Sequence, residues 1–257
     1  MRAALFPLTL CVLTLTPGAR AAGLEDLLEA RTFKDGERSL PYRLLKPEKV
    51  EKGKKYPLVV FLHGAGERGD DNKAQLRHGV KEFASEANRK KYPCFLIAPQ
   101  CPKDGFWSNA KFRPAPVKMG KGPSASGKLV LGLIESLRKE LPIDDSRIYI
   151  TGLSMGGFGT FDLMCRHPDL FAAGAPICGG GDPEACEKIA KVPLWAFHGD
   201  KDTAVPHSLT VAAIEAMKKA GGSPKYTEYP GVGHDSWTRT YADPKVMEWL
   251  FAQKKGG

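Results

Sequence analysis

The chain has 257 residues, 42% of them hydrophobic and 26% charged, with a formal net charge of +9. That hydrophobic share buries a sizeable core unaided, which excludes both a small disulfide-stapled fold and an intrinsically disordered chain. The basic residues are spread among acids, and the densest run, Arg89-Lys90-Lys91, is too short to mark a nucleic-acid site, so no nucleic-acid partner is expected.

Residues 1–21 read as a secretory signal peptide. Arg2 supplies a positive start, Leu5 to Leu15 is a short apolar run, and Ala19-Arg20-Ala21 offers a small-residue cleavage signal. The run is too short for a spanning helix and no later stretch is long enough, so no membrane span is expected. The expected location is secreted or periplasmic. From residue 22 to 257 there is no repeat, low-complexity segment or linker, which predicts one domain.

Thr32–Lys34 and Ser39–Leu45 flank Asp35-Gly36, a turn pair that predicts an opening antiparallel hairpin. Tyr56–Leu62 is a continuous apolar run that ends at His63-Gly64. Such runs suit strands buried on both faces of a parallel sheet. Cys94–Ala98, Ile148–Thr151, Ala172–Ile177, Pro193–Phe197 and Lys225–Glu228 continue the series. Between them, Lys128–Glu140, Gly157–Cys165, Leu209–Ala220 and Pro244–Gln253 repeat apolar residues at helical spacing. Alternating strands and helices predict an α/β fold, a mostly parallel central sheet flanked by helices. In such sheets functional groups gather beyond the carboxyl ends of the strands.

Without residues 1–21, five cysteines remain: Cys94, Cys101, Cys165, Cys178 and Cys186. The odd number leaves at least one thiol unpaired within the chain. Cys94 and Cys101 flank an extended segment that holds them apart. Cys178 and Cys186 lie either side of Gly179-Gly180-Gly181, where a disulfide and simple burial are both open.

Gly152-Leu153-Ser154-Met155-Gly156 places a G-x-S-x-G motif between a strand and a helix. This setting lifts a serine hydroxyl off the sheet on a sharp turn, with glycines where backbones pass closely. A helix N-terminus there favours developing negative charge. The serine needs a base to take its proton. Six histidines are candidates, and His234 follows the last strand in Gly233-His234-Asp235. His63 and His198 also follow strands, the first bracing a glycine-rich turn and the second satisfying backbone groups. The orienting carboxylate is Asp202, after the strand that ends at Phe197, with Asp200 in reserve and Asp235 third. One oxyanion donor is the amide of Met155; the other is that of Ala65 in His63-Gly64-Ala65-Gly66-Glu67-Arg68-Gly69. Glu67 and Arg68 either pair with each other at the rim or touch substrate.

The segments HGAGERG, GLSMGG, HGDKDTAVP and GVGHDSW stand in this order. With them the chain resembles the α/β-hydrolase superfamily, above all exported bacterial esterases of the predicted-peptidase or phospholipase/carboxylesterase-like group. Feruloyl and acetylxylan esterases and polyhydroxybutyrate depolymerases are similar relatives. The resemblance implies an α/β-hydrolase fold, the triad Ser154–His234–Asp202, an acyl-enzyme, and neither cofactor nor metal.

Only Cys178 to Lys191 separates two successive strands where a cap domain is commonly inserted, so no large cap domain is expected. An open site suits a small or polysaccharide-linked ester, with plant cell-wall feruloyl or acetyl esters as candidates. Cys101–Lys128 is the longest irregular stretch, and such loops are often functional. Trp107 from it and Trp237, three residues past His234, are expected to form an apolar acyl wall; local packing is the other reading. Two further readings of function stand beside ester hydrolysis. One is a serine peptidase of the prolyl-oligopeptidase-like type. The other is a non-catalytic binding protein on a hydrolase scaffold.

Overall fold

The structure, a computed structural model, describes residues 23–113 and 115–256. The signal-peptide assignment therefore lies outside the described residues. Eight strands form a single sheet: β1 (Leu28–Asp35), β2 (Arg38–Leu45), β3 (Tyr56–Leu62), β4 (Phe95–Pro99), β5 (Ile143–Leu153), β6 (Ala173–Ile177), β7 (Trp195–Gly199) and β8 (Lys225–Tyr229). Their order is β1-β2-β4-β3-β5-β6-β7-β8. The β1–β2 hairpin turns at Gly36, which takes φ +59°, and it joins the sheet antiparallel through β2 and β4. Every other pairing is parallel.

The helices are α1 (Leu24–Leu27), α2 (Val80–Ala84), α3 (Glu86–Lys91), α4 (Ala125–Glu140), α5 (Met155–Arg166), α6 (Pro183–Cys186), α7 (Ser208–Lys219), α8 (Trp237–Ala242) and α9 (Pro244–Ala252). Every residue of β3 is buried, because helices cover both faces of the sheet. Alternate side chains divide between two cores. Leu58, Val60 and Leu62 pack in the same core as Leu133 of α4, Phe161 of α5 and Ile214 of α7. Val59 and Phe61 join Phe83 of α2, Tyr241 of α8 and Leu250 of α9 in the other. Each such side chain contributes roughly 1.5–3 kcal/mol on burial. Ser124 caps α4, its hydroxyl accepting the N–H of Gly127, and so starts that helix at Ala125, three residues before the Lys128 expected from the periodicity.

Of the two readings left open for the cysteines, the structure takes burial. All five described cysteines are buried free thiols. Cys178 belongs to one core and Cys186 to the other, so the sheet keeps them from pairing. The sulfur nearest Cys186 is that of Cys165, at 3.6 Å. Between β6 and β7 the chain makes only α6 and one 3-10 turn, Glu187–Ile189, and no cap domain. Among the described residues no helix is long and apolar enough to cross a membrane.

Candidate active site

The turn between β5 and α5 carries Ser154 at φ +52°, ψ −114°, a conformation rare for a residue with a side chain. Such strain costs of order 1–3 kcal/mol and persists only where the surroundings impose it. They do so here. The Ser154 amide donates to Ile177 O at 2.9 Å. A methyl group on Gly156 would overlap Leu62 O, and one on Gly157 would overlap Ile177 O. The helix thus begins hard against β3 and β6, and the serine hydroxyl is forced above the sheet.

His234 sits in the loop between β8 and α8, with Nε2 2.9 Å from Ser154 Oγ and Nδ1 2.7 Å from Asp202 Oδ2. That loop is drawn onto the end of β7. Lys201 N–H donates to Val232 O at 2.9 Å, and a side chain at Gly199 would overlap Val232 O. Asp202 Oδ1 accepts the amides of Ala204 and Val205, both at 2.9 Å. Burial by itself would raise the Asp202 carboxyl, but the hydrogen bonds from His234 and Val205 outweigh it and hold the pKa below its ordinary value. Asp202 therefore stays ionised against His234. The other two acids have different partners. Asp200 accepts the Gly231 amide at 2.7 Å, and Asp235 accepts that of Thr238 at 3.2 Å at the start of α8.

Ala65 and Met155 both line the cavity that opens at Ser154. Among the described residues neither amide N–H has an acceptor, so both are free to meet an oxyanion. His63 braces the Ala65 loop from within the protein. Its Nε2 accepts the Cys101 amide at 2.9 Å, so Nδ1 carries the proton and donates to Gly64 O at 2.6 Å. Burial pushes this imidazole down to about 4. Glu67 and Arg68 do not pair with each other. Arg68 reaches Ala65 O at 3.0 Å and lies 5.0 Å over the Phe106 ring, while Glu67 faces Arg77 and His78.

The cavity beside Ser154 measures about 160 Å³ and is walled by Phe106, Phe112, Phe158 and Val205 with Ala110 and Ser108. Trp107 is not in this wall. It is fully buried, and its Nε1–H donates to His63 O at 3.0 Å, because the loop folds the larger ring inward to support β3. Trp237 also lies outside the cavity and packs edge-on against His234, ring centroids 5.3 Å apart. The aromatic rings that line this cavity are thus phenylalanines, and neither Trp107 nor Trp237 is among them. Phe158 is one helical turn past Ser154, a spacing that puts it on the same side of α5 and was the available sequence signal. Nothing local in the sequence marked Val205.

Ligand-type atoms of Cys178, Asp202 and His234 lie within 4.8 Å of one another. Burial holds the Cys178 thiol far above its ordinary pKa, so it stays protonated, a poor metal ligand, and the other two atoms are engaged with each other.

A mostly parallel eight-stranded sheet, with a serine on the turn after its central β5 and a histidine and aspartate on later turns at the same edge, defines an α/β-hydrolase. The chain belongs to the phospholipase/carboxylesterase family, whose model matches residues 48–246. A thermostable esterase of known structure is 42% identical, with a TM-score of 0.84, over 90% of this chain and 64% of that one. Poly(3-hydroxyalkanoate) depolymerase C of Paucimonas lemoignei is 33% identical over 127 residues, 48% of this chain and 28% of the depolymerase. Feruloyl esterase B of Talaromyces funiculosus is 28% identical over 180 residues, 70% of this chain and 46% of that enzyme. This chain thus spans less than two thirds of each of these three relatives.

Proposed function

We propose that this protein hydrolyses carboxylic esters by acyl transfer to Ser154, with His234 as base and acid and Asp202 as the orienting carboxylate. The observation that carries the reading is the unbroken relay Ser154 Oγ–His234 Nε2, His234 Nδ1–Asp202 Oδ2, at 2.9 and 2.7 Å. His234 takes the serine proton as the hydroxyl oxygen attacks the ester carbonyl. The Ala65 and Met155 amides hold the resulting oxyanion; losing one such donor typically costs about 100- to 1,000-fold. His234 then passes its proton to the leaving alcohol, the C–O bond breaks, and water repeats the cycle on the acyl-enzyme.

The phenylalanine-walled cavity receives the acyl part. Its 160 Å³ is close to the volume of a site that takes one benzene ring, about 150 Å³. Acyl groups with a single ring or a short chain fit it. Feruloyl and acetyl esters of plant cell walls belong to this range, and the similarity to a feruloyl esterase supports them. The uncapped face leaves room for a polysaccharide on the alcohol side. Export through residues 1–21 is part of the same proposal.

The test is hydrolysis by the wild type and Ser154→Ala of p-nitrophenyl acetate, butyrate and octanoate, methyl ferulate, acetylated xylan and a chromogenic peptide. Ester turnover is expected in the wild type, lowered at least about 10,000-fold in the variant. Ester turnover that survives in Ser154→Ala would sink the triad. Peptide turnover without ester turnover would transfer the site to the peptidases, and no turnover at all would leave a binding protein.

A further inference from the structure

Asp202 is held by two imidazoles. The second belongs to His198, which lies in β7 and is wholly buried. His198 Nε2 is 3.0 Å from Asp202 Oδ2, the same oxygen that receives His234 Nδ1. It is also 2.9 Å from Val205 O. Both neighbours are acceptors, so Nε2 must carry the hydrogen. On the other side of the ring, Nδ1 is 2.8 Å from Thr210 Oγ1, and that oxygen is 2.8 Å from Gly179 O. The single proton of the Thr210 hydroxyl is contested by two acceptors, Nδ1 and Gly179 O, and the Nε2–H form of a neutral ring requires that it point to Nδ1. Burial opposes protonation and, despite the Val205 and Asp202 contacts, keeps the pKa of this imidazole below its ordinary value.

The Asp202 carboxylate therefore accepts four N–H groups: two amides on Oδ1 and two imidazoles on Oδ2. This is more than is needed to keep a buried acid ionised. A histidine packed only for volume would not aim its single proton at the atom that orients the base.

We propose that His198 is a positioning residue for catalysis: its Nε2–H shares Asp202 Oδ2 with His234, fixing the carboxylate plane and lowering the basicity of His234. The inference rests on the Ser154 triad proposed above. Its physical content is charge sharing. An N–H on Oδ2 withdraws negative charge from the oxygen that stabilises the His234 imidazolium. Without it, the imidazolium is better stabilised, and His234 stays protonated, and so unable to act as base, to higher pH. The other groups facing the pair are few. His207 lies 6.5 Å from the His198 ring, and Cys178, Ser154 and Trp237 adjoin His234, with Asp235 next to it in the chain.

Two measurements test it. The first uses the wild-type protein with ¹⁵N-labelled histidine, whose imidazole resonances report the tautomer of each ring. His198 is expected as the Nε2–H form at pH 7, and an Nδ1–H form overturns the proposal without any variant or activity. The second is the pH profile of kcat/KM for p-nitrophenyl acetate. His198→Met keeps the bulk and removes the donor, and its acid limb is expected to move up by about one pH unit. His198→Gln restores an N–H at similar reach and is expected to recover most of that shift. A purely structural histidine predicts lowered melting temperatures with the acid limb unmoved, or moved equally in both variants, and either result overturns the proposal. If Ser154→Ala keeps its esterase activity, the triad falls, while the tautomer spectrum still decides what His198 does.

Discussion

At the scale of single residues, the site depends on atoms that are missing as much as on those present. Gly156 has no room for a side chain: a Cβ there would overlap Leu62 O and press on His63 O. Both are backbone atoms of β3 and of the loop that carries the Ala65 amide, so they cannot give way cheaply. Gly156→Ala is expected to lose roughly 2 kcal/mol or more in urea unfolding, and to lose activity in the remaining folded protein as α5 is pushed from β3. Unchanged stability would show that the helix start has slack that these contacts deny. Ser154 itself holds a strained backbone, and that strain is supported by the Ser154 N–H to Ile177 O bond as well as by the glycines.

At the scale of elements, the segment from Cys101 to Ser124 has two jobs. Its buried half is structural. Trp107 supports His63 O, and Ser108 and Asn109 are tied to Asp162 and Arg166 of α5. Its outer half is the pocket wall. Phe112 lies against Phe158 of α5 with ring centroids 5.1 Å apart, closing the end of the cavity beside Ser154. Phe112 is only half-buried, so it can be removed without opening the core. Phe112→Ala is expected to raise the octanoate-to-butyrate ratio of kcat/KM by roughly tenfold, since one or two methylenes in such a pocket decide factors of that size. A ratio that stays constant would place the acyl chain elsewhere. Trp107→Ala should act differently, costing about 3–5 kcal/mol of stability with no gain for long chains, measured by denaturant unfolding alongside the same ester series.

At the scale of the whole molecule, two buried histidines link stability to pH. His63 titrates at about 4 in the folded chain against an ordinary value near 6.5, and His198 is shifted in the same direction. Above pH 6.5 both rings are neutral whether folded or unfolded, and neither affects stability. As the pH falls below that value, the unfolded chain binds protons that the folded one refuses, so stability declines down to the folded values. His63 alone makes this on the order of 3 kcal/mol. Urea unfolding at intervals from pH 7 to 4 should show this decline, and His63→Asn should be less stable at pH 7 but flatter across the range. A flat wild-type curve would show that His63 is not held neutral. The carboxylates with lowered values, Asp202 and Asp144 among them, lose their contribution only further down, below about pH 4.

Much of this molecule was legible in the chain alone. The buried strands declare themselves because a sheet covered on both faces demands unbroken apolar runs, and Tyr56–Leu62 is one. Ser154 was legible because the turn it occupies requires glycines at fixed offsets, and His234 because it follows the last strand. These are local demands, met by neighbours in sequence. What the tertiary structure decided lies between segments far apart in the chain. It separated Asp202 from Asp200 and Asp235, three acids that sequence position alone leaves in competition, by giving each a different partner. It turned Trp107 inward and Phe112 and Phe158 toward the cavity, because a ring's direction depends on which space the packed helices leave unfilled. It set Cys178 and Cys186 in different cores although only seven residues separate them, since the sheet lies between. It also aimed His198 at the Asp202 carboxylate, a contact between β7 and its following loop that no motif announces. Periodicity and turn chemistry act over a few residues and can be read in order; packing selects among the side chains they deliver, and that selection exists only once the chain has folded.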